Sequence, residues 1–278
     1  MLLLQLQSEL RKLFGKKRTY IGFGIILVTQ TIIAVVLRYT PALRDMTRTL
    51  EGNGYPASEF ISSLTVACIM LFPIAYVLLP LYVALIGGDM VAKEAEDGTL
   101  RMILSRPISR FRLLLTKWVA GAMFAALLVW VLGLFGLIAA LPWFHWGGLF
   151  VFIPGEVFGI FDPMVGIQRY AVAHALLITK AASIMAAGFM FSCFDIKPAA
   201  ATILALSLLF VNAVLQQIPY FRDFQHWFLT YHLNIWQYIF MQPIPWWKIG
   251  QSLSILFGFN LTFLTIGMVA FHVRDIKS

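Results

Sequence analysis

Apolar residues run along this chain in long blocks separated by short polar stretches, and the block lengths predict its elements. Six blocks, over 20–37, 60–86, 118–141, 171–194, 199–218 and 249–271, are each long enough for a helix to cross the hydrocarbon of a bilayer, which takes about 20 residues. Residues 2–14 follow a helical period instead. Leu3, Leu6, Leu10, Leu13 and Phe14 share one face, and Glu9, Arg11 and Lys12 fall elsewhere. That pattern predicts an amphipathic helix in the membrane interface, its apolar side in the acyl boundary, with Lys16, Lys17 and Arg18 near anionic headgroups. The expected fold is an all-α polytopic membrane protein with an N-terminal elbow over 1–19 and a six-span domain over 20–278.

Finer features sit on this frame. Gly22 and Gly24 in the first span would let another helix approach closely. Pro73 and Pro80 lie seven apart on one face of the second span and should bend it, as a static kink or as a hinge. Segments 142–169 and 219–248 are rich in aromatic rings, Gly and Pro, and are too broken for spans. They read as interfacial excursions, because aromatic rings favour headgroup depth. In 219–248 the ring spacing predicts one or two short helices lying in, or dipping into, the outer leaflet. Lys180 falls near the middle of the fourth span. It either snorkels or faces protein or a wet cavity and finds an acid, for which Glu156 and Asp162 are the candidates.

The long polar exception is 87–117, which holds ten charged residues in 31 positions. Such a segment must project into water. Its turn chemistry predicts a helix running on through Asp97, with Asp89 and Lys93 paired across one turn, and a break at Gly98. A short helix over 100–105 follows, with Thr99 as N-cap and Pro107 as terminator. Ser109 starts a helix into the third span, with Arg110, Arg112 and Lys117 at headgroup level. The short helix offers Leu100, Ile103 and Leu104 as an apolar knob. Glu94 and Glu96 are expected to position it through pairing with Arg or Lys, on a partner or in the adjoining helix start.

Composition supports the class. Of 278 residues 60% are hydrophobic and 12% charged, with mean hydropathy +0.83, whereas soluble domains carry about 25% charged residues. The net charge of +8 raises nucleic acid as a partner, but in a membrane chain excess Lys and Arg mark the cytoplasmic side, and no nucleic acid is expected. With the N-terminus inside, segments 1–19, 87–117, 195–198 and the tail carry 14 cations and 7 acids, and the outer loops 6 and 6. Both termini are therefore expected in the cytoplasm, with the protein in the cell (inner) membrane. Cys68 and Cys193 read as separate buried thiols. The run over 1–4 is too short for the apolar core of a signal peptide.

Catalytic constellations do not emerge. The five histidines lack metal-ligand spacing, and there is no GxSxG and no GxxxxGK[ST] phosphate loop. The chain is not expected to be an enzyme, nor to bind a metal or cofactor itself.

The run E-A-E-D-G-T-L-R-M-I-L-S-R-P-I-S-R followed by Lys117 resembles the first cytoplasmic loop of type-2 ABC-transporter permeases, the membrane subunits of exporter-type ABC systems. Glu94, Glu96, Gly98, Thr99, Leu100, Leu104, Pro107, Ser109, Arg110 and Lys117 match in order. The basic elbow, the turn at 192–198 and Arg274-Asp275-Ile276 look similar too. The resemblance implies that the short helix is a coupling helix docked on a separate ABC ATPase, expected in two copies, with ATP and Mg on that partner. It also implies a second permease chain, as homodimer or heterodimer, and export or flipping of an amphipathic substrate among membrane lipids. The alternative is an ATPase-independent secondary transporter or membrane scaffold.

Overall fold

The computed structural model describes residues 2–105, 109–153 and 157–274, without the side chains of Leu2, Arg101 and Leu104. The chain opens with α1 (Leu2–Phe14) and α2 (Lys17–Tyr39). A loop carrying α3 (Arg44–Gly52) and α4 (Ala57–Phe60) leads to α5 (Ser63–Pro73), a π-helical turn (Ile74–Leu78) and α6 (Leu79–Glu96). Then come α7 (Thr99–Leu104), α8 (Arg110–Ala140), the strands β1 (Leu149–Ile153) and β2 (Val157–Phe161), α9 (Pro163–Ser192) and α10 (Pro198–Gln217). Two 3₁₀ stretches (Pro219–Trp227 and Ile235–Phe240) flank α11 (Leu229–His232), and α12 (Trp246–Val273) ends the described chain.

Among the described residues six helices are long and apolar enough to cross a membrane: α2, α5 continued through α6, α8, α9, α10 and α12. They match the six apolar blocks, but several overrun them. α8 starts at Arg110 and α9 at Pro163, eight residues before the expected edge at 171. Helix continues as long as backbone donors find acceptors, whether or not the side chains are apolar.

Span four (α9) is the most buried of the six, followed by span two, while spans one, five and six are the most exposed. Spans two and four approach through glycine. A Cβ on Gly87 would stand 2.3 Å from the Met185 carbonyl oxygen, and one on Gly188 would stand 2.8 Å from that of Ala84. Missing side chains therefore let these two backbones touch. Gly22 in span one does the same for the Tyr82 ring, whose hydroxyl donates to the Thr19 carbonyl at 2.6 Å, whereas Gly24 faces open space.

Between Pro73 and Pro80 span two is π-helical. Pro80 has no N–H for the Tyr76 carbonyl four residues back, and its ring crowds that carbonyl. The chain answers by widening one turn, with the Leu79 N–H bonding Ile74, five residues back.

The aromatic segments are more structured than the pattern suggested. Residues 149–153 pair antiparallel with 157–161, Val151 opposite Gly159. The pair is pinned to the start of α5, where the Ser62 hydroxyl donates to the Gly148 carbonyl at 2.6 Å and the Phe150 N–H donates to the Thr65 hydroxyl at 2.8 Å. In the second segment 219–227 lies on the surface, as do Trp246 and Trp247 near its end. Trp236 and Phe240 are fully buried, and Trp236 packs on Phe72 with ring centroids 5.0 Å apart. Residues 229–240 thus line the inside of the bundle rather than rest on its rim.

Candidate functional site

The site is built where α6 ends. Asp97 and Gly98 form the turn, and Gly98 has φ +71°, a left-handed conformation that side chains disfavour. A Cβ there would meet nothing within 4 Å, so the backbone alone calls for glycine. Thr99 is the first residue of α7 rather than its cap, and its hydroxyl donates back to the Glu94 carbonyl at 3.2 Å, closing the end of α6.

α7 has an inner and an outer side. Leu100 is only 2% exposed and belongs to the core of this chain, and Ile103 is half-buried against it. Leu100 was expected to offer itself to a partner, but its position on the helix turns it inward, and Met102, two residues on, is 67% exposed instead. The side chain of Leu104, and Pro107 altogether, lie outside the described residues.

Behind α7 four charges close a ring. Lys117, 1% exposed, holds Glu9 Oε2 and Glu94 Oε1, each at 2.7 Å. Lys12 holds Glu9 Oε1 at 2.7 Å and Glu94 Oε1 at 3.0 Å. Three elements meet here: the elbow α1, the end of span two and the start of span three. Lys117 is therefore not at headgroup level but inside protein. α1 does not rest on its own in an interface either: Leu6, Leu10, Leu13 and Phe14 pack into the bundle, with the Phe14 and Phe124 rings 5.5 Å apart. Burial pushes the Glu9 carboxyl up, but Lys117 and then Lys12 outweigh it, and the group lies below its ordinary 4.5. For Lys12 burial pushes downward, yet Glu9 and Glu94 raise it above its ordinary 10.5.

Weaker ties surround the ring. Asp89 pairs with Arg18 rather than with Lys93, and Lys93 meets Glu96 at 2.7 Å and Asp97 at 3.0 Å. A helical i,i+4 pair is worth a few tenths of a kcal/mol, too little to hold Asp89 against a nearby guanidinium. Arg110 donates to the His272 carbonyl at 3.2 Å, and Arg274 pairs with Asp195 and donates to the Phe194 carbonyl at 3.1 Å. The ends of spans three, four and six are thus stitched on the same side. A cleft of about 720 Å³ opens between α1 and α7, with Glu9, Lys12, Lys16 and Met102 on its walls.

Sequence reasoning missed Glu9, Lys12 and Met102. A signal was present for the first: Glu9 is the one acid in a basic elbow, three residues before Lys12. Lys180 lies apart from this site. It is buried at 4% exposure, and its ammonium is 3.3 Å from the Asn234 Oδ1 and 4.5 Å from the centre of the Tyr76 ring. Asp162 is exposed at the head of α9, 18 residues away, about 27 Å along a helix and out of reach. Glu156 lies outside the described residues.

Residues 6–276 match the model of the family described as ABC-2 family transporter protein. The chain belongs to this family. It is accordingly a multi-pass membrane protein. The match begins inside α1, so the elbow and its Glu9 are part of the ABC-2 unit. The chain is also similar, at 32% identity over 72 residues, to "Uncharacterized protein YhcI" of Bacillus subtilis (strain 168), covering 26% of this chain and 23% of that one.

Proposed function

We propose that this chain is the permease of an exporter in which α7 is the coupling helix of a separate ATPase. The observation that carries the reading is the form of α7: one face anchored through Leu100, the other presenting Met102, on a turn that only Gly98 relaxes into, backed by a buried charge ring. A flexible apolar side chain framed by charge is a docking element, and a knob rigidly tied to spans two and three transmits a push instead of yielding to it. Two ATPases bind ATP and Mg and close, and two permease chains move in response. The chain itself binds no nucleotide. It sits in the cell (inner) membrane with both termini and α7 in the cytoplasm, and its cargo is an amphipath.

The test is to co-express chain and ATPase, pull down through the chain and measure ATP hydrolysis. Met102→Asp and Gly98→Val should leave the chain inserted and monodisperse, and should reduce the co-purified ATPase roughly tenfold or more, as expected for a docking hot spot. Absence of any ATPase with the unmutated chain, or full binding and turnover in both variants, sinks the reading and leaves an ATPase-independent transporter or scaffold. Orientation is checked separately. In a background with Cys68 and Cys193 replaced, Asn53→Cys and Gln225→Cys should react with an impermeant reagent in intact cells. Asp97→Cys should react only after permeabilisation, and labelling of that position in intact cells reverses the topology.

A further inference from the structure

A second site lies in the bundle, away from α7. Spans two, four and five and residues 230–234 enclose a cavity of about 460 Å³, within the range of small-molecule sites. Among the described residues its cation is Lys180, and no Asp or Glu lines it. Among the described residues Lys180 makes no ion pair; Asn234 and the Tyr76 ring are what face its ammonium. The Tyr76 ring is itself placed. Gln237 donates to the Tyr76 hydroxyl at 2.6 Å, and Tyr76 sits on the π turn that Pro80 imposes.

The rest of the wall has two characters. Gln216 and Thr230, hydrogen-bonded to each other at 2.8 Å, make one end polar. Leu206, Leu209 and Phe210 make the other apolar. Val77 and Phe210 at its edge are exposed on membrane-crossing helices, so the mouth opens sideways, toward acyl chains or a neighbouring span, rather than toward water.

A buried ammonium without a carboxylate is costly in such a place and is stabilised by an anion that enters with its own apolar body. We propose that this cavity binds the anionic head of an amphipath, with Lys180 as its counter-charge and the span-five wall taking the start of its chain. This rests on the exporter reading above and narrows its cargo to anionic amphipaths. Binding itself requires no ATPase, so it can be measured where coupling cannot.

The experiment uses the purified full chain in nanodiscs of phosphatidylcholine and two photoactivatable probes: a long-chain fatty acid with a mid-chain diazirine, and the primary alcohol of the same chain. Cross-linked peptides are read by mass spectrometry. The acid should label spans two, four and five about tenfold more than the alcohol, the worth of one hydrogen-bonded charge. Lys180→Met should erase that preference and Lys180→Arg should keep it. Ala213→Trp, which fills the cavity and keeps the charge, should remove labelling by both probes, and it carries the test if Lys180→Met does not fold. Adding phosphatidylglycerol separates the sources of the anion: competition assigns the site to a resident lipid headgroup, and no competition assigns it to a free single-chain amphipath. Equal labelling by acid and alcohol in the unmutated chain, an unchanged preference in Lys180→Met, or full labelling in Ala213→Trp overturns the proposal. Each of these results leaves the pull-down of the ATPase unaffected, so the two readings fail separately.

Discussion

Lys117 and Lys180 are both buried, at 1% and 4% exposure, yet the chain treats them in opposite ways. Lys117 is met by two carboxylates at 2.7 Å, and a second lysine completes the balance. Lys180 is met by an amide oxygen at 3.3 Å and a ring face. A compensated buried charge fixes geometry, since each partner is stranded if another leaves. An uncompensated one is held by packing and keeps its field for something that arrives. The same residue type is thus a rivet at one level of the molecule and a receptor at another.

The largest expected effect breaks the rivet. Lys117→Met leaves Glu9 and Glu94 sharing only the more exposed Lys12 and should cost up to about 3–5 kcal/mol of stability, read by denaturation in a fixed detergent. Lys180→Met, which strands no carboxylate among the described residues, should leave stability unchanged or raise it. Equal losses in the two variants would erase the distinction. Next comes Glu9→Gln combined with Lys117→Met. Because the groups share one network, the double variant should be more stable than the two single losses added together predict, by about 0.5–3 kcal/mol.

A pH series is gentler. Glu9 titrates below its ordinary 4.5 in the folded chain, so its contribution is full above 4.5 and is lost as pH falls through the lowered value. Lys12 titrates above its ordinary 10.5, so its contribution is full below 10.5 and is lost as pH rises through the raised value. The melting temperature should be flat between those limits and fall outside them, and Glu9→Gln should flatten the acid limb. A sharp change near neutrality would mean that other groups govern the junction. The smallest effect is that of Glu96→Gln. Its pair with Lys93 is solvent-exposed, and no measurable shift in melting is expected.

Much of this was legible in the chain. Six apolar blocks gave six spans because crossing a bilayer fixes helix length. Asp97-Gly98 foretold the turn, because few residues other than glycine accept positive φ without strain. The ring was harder. Glu9 and Lys117 are 108 positions apart, and no local period connects an elbow with the start of span three. Met102 was passed over because a six-residue helix has too few positions to say which side faces the bundle. For Lys180 the chain foretold protein or a wet cavity but not which groups face its ammonium, because Asn234 lies 54 positions away and Tyr76 in another span. The pairing of 149–153 with 157–161 hid behind its aromatics, which suit an interface and a strand equally well.

The π turn in span two has a mechanical meaning. Below it α6 is an unbroken rod of 18 residues, about 27 Å long. α7 is fixed to one end of the rod and Tyr76 stands at the other. With the widened turn as fulcrum, a sideways push of about 2 Å on α7 would swing that rod through roughly 4°, given its helical rise. A straight α-helix would have to bend its whole hydrogen-bond ladder to do the same. Pro80→Ala, by returning the missing donor, should stiffen the fulcrum. Spin labels on the two ends of α6 would then show a narrower spread of distances to span four than in the parent chain, whereas an unchanged spread would place the flexing elsewhere. Span two would then be a lever, with the shape of the Lys180 cavity at its short arm.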